Sequence, residues 1–204
     1  MRLSLTSVPL WMALVPLALY LMALGGVHLR RRPLAISGQV DAGLLALAVA
    51  GLVIAGPLAV MEPVAGASVW ASVALVVGFV LVVAFAMLAA RPRLIVYNIG
   101  LDQLRPLVVE VVAALDDSAR WAGETAALPA RGFQFHLDAR GAGRTVSIVA
   151  AGDRPPAEAW SEFSRRLRRA VRRQRVRSSP WGIAFAASGA CVAAMAAWMA
   201  MAAA

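Results

Sequence analysis

The sequence predicts a membrane α-helical protein: four transmembrane helices, with a small α+β soluble domain inserted between the third and the fourth. Three observations carry this. Hydrophobic residues make up 61% of the 204 positions, against about 45–50% in soluble globular chains, and mean hydropathy is +0.73. A water-soluble fold this apolar lacks the polar surface to cover itself. The apolar residues also fall into four blocks without a charged side chain: Leu3 to Leu29, Ala42 to Met61, Pro63 to Ala90 and Ser178 to Ala204. The stretch between the third and fourth blocks, residues 91–177, alternates polar and apolar residues as a folded aqueous domain does.

A membrane span needs about 20 predominantly apolar residues, and each block is long enough. Expected spans are 8–29, 42–61, 68–90 and 178–204. The third is the strongest. Twelve of the residues from Val69 to Ala90 are Val, Leu or Phe, which together favour insertion by about 4–7 kcal/mol. The fourth is rich in Ala and Met. Only Ile183, Phe185 and Val192 score strongly there, supplying about 1–2 kcal/mol, so this helix is expected to lean on its neighbours. Gly189 and Ala193, and Ala74 and Gly78, are each four apart, a spacing that lets helix backbones approach. The first block reads as a retained span: Arg2 alone precedes it and Arg30-Arg31-Arg32 follow it, the reverse of the charge order in a secretory leader.

The same charges set an expected orientation. Arg30, Arg31 and Arg32 follow the first span, and Arg91 and Arg93 follow the third, whereas the connection between spans two and three offers only Glu62. The positive-inside rule then places residues 91–177 on the cytoplasmic side of a bacterial-type inner membrane, with both termini outside. Trp11, Trp70, Trp181 and Trp198 lie near span ends, where aromatic side chains anchor at the interface.

Within 91–177 the expected order is strand, helix, three strands, helix. Leu94-Ile95-Val96-Tyr97 is a β-rich run. Leu104, Val108, Val111 and Leu115 recur at helical spacing, with Asp102 as the expected N-cap. Trp121 to Leu128 reads as a strand interrupted by Gly123. Phe133, Phe135 and Leu137 alternate with Gln134, His136 and Asp138 in the next, and Val146 and Ile148 alternate with Thr145 and Ser147 in the last. Asp153 before Pro155-Pro156 opens the final helix, whose stripe is Trp160, Phe163, Leu167 and Val171.

All twenty basic side chains are arginine, giving a net charge of +9. Eight of them, Arg165, Arg166, Arg168, Arg169, Arg172, Arg173, Arg175 and Arg177, crowd the final helix and run into the fourth span. A cluster so placed is expected to contact anionic lipid head groups, at on the order of 1 kcal/mol per arginine. Nucleic acid is not the expected partner, because no aromatic side chain interleaves the cluster between Phe163 and Trp181. The run from Ala139 to Arg144 is glycine-bearing but lacks a P-loop ending, and reads as a hairpin loop. Asp116-Asp117 reads as a turn rather than a metal site, and His136 as an exposed strand residue. Cys191 reads as a small packing residue, and one cysteine forms no intrachain disulfide.

No catalytic residue, metal site or cofactor is predicted. The expected function is that of a non-enzymatic, membrane-tethered module whose α+β domain binds a cytosolic protein partner or a ligand. Membrane lipids are the other expected partners, and a second copy of the chain is a third, through small-residue helix faces. A transporter or channel subunit is the alternative, motivated by Ser68, Ser72 and Ser188; the uncharged interiors of the spans weigh against it. A lipid-modifying enzyme using Arg140 or Arg144 to hold phosphate is the weakest reading, since no nucleophile or base completes it.

Overall fold

A computed structural model describes residues 9–65, 69–139 and 144–202. Those residues form six α-helices and one six-stranded antiparallel sheet, divided into two compact units.

One unit gathers the apolar helices α1 (Leu10–Leu29, all but its last turn), α2 (Gly38–Ala65, all but its first turn), α3 (Val69–Ala89) and α6 (Trp181–Ala202, from Ala184 on). Each is long and apolar enough to cross a membrane. No residue from Ser72 to Ala89 is buried, and Phe85 and Leu88 are 74% and 73% exposed. In water such a surface would be strongly unfavourable; in hydrocarbon it is matched to its solvent. Helices approach closely where side chains are small. A Cβ at Gly51 would stand 2.6 Å from the Ala13 carbonyl, joining α1 and α2, and one at Gly189 would stand 2.9 Å from the Met22 nitrogen, joining α1 and α6. Gly189 therefore packs as its spacing predicts. Gly78 does not, having open space where a side chain would be.

The other unit comprises Gly26–Asp41 and Ala90–Ile183. Its sheet runs β1-β2-β6-β5-β4-β3, with β1 (Leu34–Ser37), β2 (Arg93–Tyr97), β3 (Arg120–Ala122), β4 (Thr125–Leu128), β5 (Phe133–Ala139) and β6 (Thr145–Ala151). Helices α4 (Leu101–Ala113) and α5 (Ala157–Arg173) pack on one face. The core between them holds Leu104, Val108, Phe135, Ile148, Phe163 and Leu167, all fully buried, with the Phe135 and Phe163 rings stacked at 5.0 Å. The predicted stripes on both helices and the alternation along β5 are the residues that build this core.

Six strands stand where the sequence pattern predicts four. The run from Trp121 to Leu128 is a hairpin: Gly123, at φ +60, begins a two-residue turn between Ala122 and Thr125, a position where glycine enters the left-handed region without steric cost. The further strand, β1, comes from the connection between α1 and α2. It pairs with β2 in the register Ser37↔Leu94 and Leu34↔Tyr97, so the sheet draws on residues outside 91–177. Its seam is reinforced where Asn98 donates through Nδ2 to the Arg30 carbonyl at 2.6 Å, and where the Val176 and Ser179 amides donate to the carbonyls of Arg31 and His28. Tyr97 donates its hydroxyl to the Asp41 carboxylate, which lies in the first turn of α2, where the helix dipole favours negative charge.

Other boundaries also differ from the sequence pattern. Gly100, not Asp102, is the N-cap of α4. Helix α5 starts at Ala157 behind Pro156 and ends at Arg173, so Arg175 and Arg177 lie in an extended connection rather than on the helix. Helix α2 opens at Gly38 instead of residue 42.

Candidate functional site

Helix α5 sorts its arginines by the faces of a 3.6-residue repeat. Phe163, Leu167 and Val171 point into the core, which leaves two flanks and an outer surface. On one flank Glu162 receives Arg131 at 3.2 Å and Arg166 at 2.7 Å. Arg166 and Arg131 also donate to the carbonyls of Ala114 and Leu115 at the end of α4, where cations complement the helix dipole. Arg166 is thus a structural clip. The outer surface carries Arg169, Arg172 and Arg173, all exposed, and the connection beyond carries exposed Arg175 and Arg177.

The remaining flank faces β1 and β2 across a half-open cavity of about 440 Å³. Arg93 enters from β2, Arg165 and Arg168 from α5, and Arg154 from the turn before it; Ser37, Ser161 and Ser164 add hydroxyls, and among the described residues no carboxylate lines the space. The β1–β2 pairing sets Arg93: the register that places Ser37 opposite Leu94 brings Gly38 beside Arg93. A Cβ on Gly38 would lie 2.0 Å from Arg93 Cγ, so the arginine stem lies over bare backbone. Trp160 forms an apolar wall, held edge-on against Phe133 at 5.9 Å.

The electrostatics of this cavity are one-sided. Among the described residues, Arg93, Arg165 and Arg168 form no ion pair with a carboxylate, and Arg165 donates only to the Ser161 hydroxyl at 3.3 Å. The Nε atoms of Arg93 and Arg168 and the hydroxyl of Ser164 are shielded from solvent without a hydrogen-bond partner. Ser164 itself is 8% exposed. Leaving such a group unpaired costs about 1–3 kcal/mol, more when it is charged.

The other residues singled out in the sequence lie apart from this cavity. Asp116 accepts from the Ser118 amide and hydroxyl through one oxygen and from the Ala130 amide through the other. The Ser118 hydroxyl foremost, and the surrounding amides with it, hold this carboxyl below the usual aspartate value. His136 is exposed and its Nδ1 meets Thr125 Oγ1 at 3.1 Å. Arg144 donates to the Arg177 carbonyl and to Gln103; Arg140 and the glycines of its loop, Gly141 and Gly143, lie outside the described residues, as does Ser68. Cys191 is an exposed thiol on α6. Among the described residues no three His, Cys, Asp or Glu side chains gather as metal ligands would. Arg30, Arg31 and Arg32 are exposed, as is Arg91, whereas Arg93, grouped with them by sequence, belongs to the cavity.

Comparison with protein-family models, curated proteins and solved structures found no match.

Proposed function

We propose that the chain is a non-enzymatic, membrane-tethered module: the four apolar helices anchor it, and the α+β unit faces the cytoplasm and binds a ligand or partner there. The carrying observation is the pairing of four helices of membrane-spanning length with a separate unit that has its own closed hydrophobic core. The positive-inside distribution of Arg30, Arg31, Arg32, Arg91 and Arg93 supports the cytoplasmic assignment. The polar groups that would first be suspected of catalysis, Asp116 and His136, have local structural hydrogen bonds, which supports a binding rather than a catalytic role.

In this reading Arg169, Arg172, Arg173, Arg175 and Arg177 contact anionic head groups, since they are exposed and Arg177 precedes α6 by only a few residues. Arg166 is set aside for the clip, and Arg165 and Arg168 for the cavity. The test is amide exchange of the full chain in nanodiscs of phosphatidylcholine with and without phosphatidylglycerol. Exchange across residues 172–179 should slow with the anionic lipid, and an Arg169→Gln, Arg172→Gln, Arg173→Gln triple variant should lose most of that slowing. Identical exchange in both lipids would count against head-group contact.

A further inference from the structure

We propose that the cavity between α5 and the β1–β2 edge binds a small organic phosphate, recognised as a phosphomonoester dianion by Arg93, Arg165 and Arg168. This names the ligand class of the module proposed above and rests on that reading for its setting. Three independent features converge. The wall is cationic, and among the described residues its Arg93, Arg165 and Arg168 form no ion pair with a carboxylate. Two guanidinium Nε atoms and a Ser164 hydroxyl are withdrawn from water with no acceptor or donor opposite them, and an anion with several oxygens is the occupant that supplies both charge and acceptors. Lastly, 440 Å³ exceeds what a bare phosphate fills and falls in the range of about 300–1,000 Å³ typical of small-molecule sites; Trp160, Pro155 and Leu94 offer an apolar wall for the rest of the molecule.

The placement of these groups has a structural logic. Arg93 sits at the start of β2 and Gly38 directly follows β1 as the first residue of α2, so the strand pair that completes the sheet edge also aims the arginine. Ser161, Ser164, Arg165 and Arg168 occupy one flank of α5, separate from Arg166 on the clip flank and from Arg169 on the outer surface. A phosphomonoester can arrive as a soluble metabolite or as the head group of a lipid; both present the same dianion.

The experiment is calorimetry on the full chain in a neutral detergent, titrated with glycerol 3-phosphate in one arm and short-chain phosphatidic acid in the other. One equivalent of at least one probe is expected to bind. Binding of the first alone or more tightly identifies a soluble source, and of the second a lipid source. Arg93→Gln and Arg168→Gln should each weaken binding about tenfold, the loss of a charge-assisted hydrogen bond, while Arg120→Gln, exposed on β3 at the opposite edge of the sheet, should change it less than about twofold. Gly38→Ala keeps every charge and drives a methyl group into the Arg93 stem; it should also weaken binding, and it decides the matter if an arginine variant fails to fold. No binding of either probe would overturn the proposal, as would Arg120→Gln weakening binding as much as the cavity variants, or Gly38→Ala leaving it unchanged. None of these readouts depends on which side of a membrane the unit faces, so this failure is separable from failure of the tethered-module reading.

Discussion

Replacing Asn98 tests how the α1–α2 connection is held into the sheet. Asn98 is fully buried, adopts φ +62, and donates from Nδ2 to the Arg30 carbonyl at 2.6 Å. Asn98→Ala removes that hydrogen bond, worth about 0.5–1.5 kcal/mol, and forces a Cβ-bearing residue without a polar side chain into the left-handed region, worth about 1–2 kcal/mol more. The whole destabilisation should come to about 1.5–3.5 kcal/mol. Asn98→Gly loses the same hydrogen bond but takes the positive φ freely, so it should cost about 1 kcal/mol. Both values come from denaturant unfolding of the full chain in detergent, followed by tryptophan fluorescence, and amide exchange at residues 34–37 should rise in both variants. Equal stability of the two variants would refute the cost assigned to the left-handed backbone, and no change in β1 exchange would refute the idea that this side chain ties the connection to the sheet.

Other expectations follow from packing and charge. Phe163→Ala should destabilise the α+β unit by about 3–5 kcal/mol, because Phe163 is fully buried and stacked on Phe135; denaturant melts measure it. Asp116→Asn should lower stability at neutral pH and flatten the acid limb of a pH–stability curve. The Ser118 and Ala130 bonds hold the folded carboxyl below its ordinary value of 3.8, so the stability they confer is present above that value and is lost as pH falls through the lower folded one. Gly189→Ala should lower the melting temperature in detergent, at a cost of about 1–3 kcal/mol, since its methyl would press on Met22 and Ala18; Gly78→Ala, with open space around it, should leave melting unchanged.

Much of the architecture was legible because long, periodic signals carry it. Uncharged runs of span length need no tertiary information, and the buried faces of α4, α5 and β5 repeat at the periods their backbones impose. Strand β1 was hidden for the opposite reason. It has four residues, follows three arginines and a proline, and its partner β2 lies more than fifty residues away (Ser37↔Leu94), so no local pattern announces the pairing. The end of α5 was equally silent: between Val171 and Pro180 there is no glycine or proline to stop a helix. The arginines posed a different difficulty. Sequence shows eight like charges within thirteen residues, whereas packing divides them into a clip (Arg166), a cavity wall (Arg165 and Arg168), an outer surface (Arg169, Arg172 and Arg173) and an extended connection (Arg175 and Arg177). Arg93 read as a topology signal because nothing local brings Gly38 or α5 beside it. Its position opening a β-rich run was the one available hint.

The orientation of the chain in a membrane is tested most directly by labelling in intact cells. With Cys191 replaced by serine, single cysteines at Arg32, Ala67, Ala142 and Ala204 are exposed to a membrane-impermeant maleimide, with and without permeabilisation. Cysteines at Ala67 and Ala204 should label in intact cells, and those at Arg32 and Ala142 only after permeabilisation. Labelling at Ala142 from outside, or recovery of the chain in the soluble fraction, would contradict a membrane-anchored module that turns its arginine-walled unit to the cytoplasm.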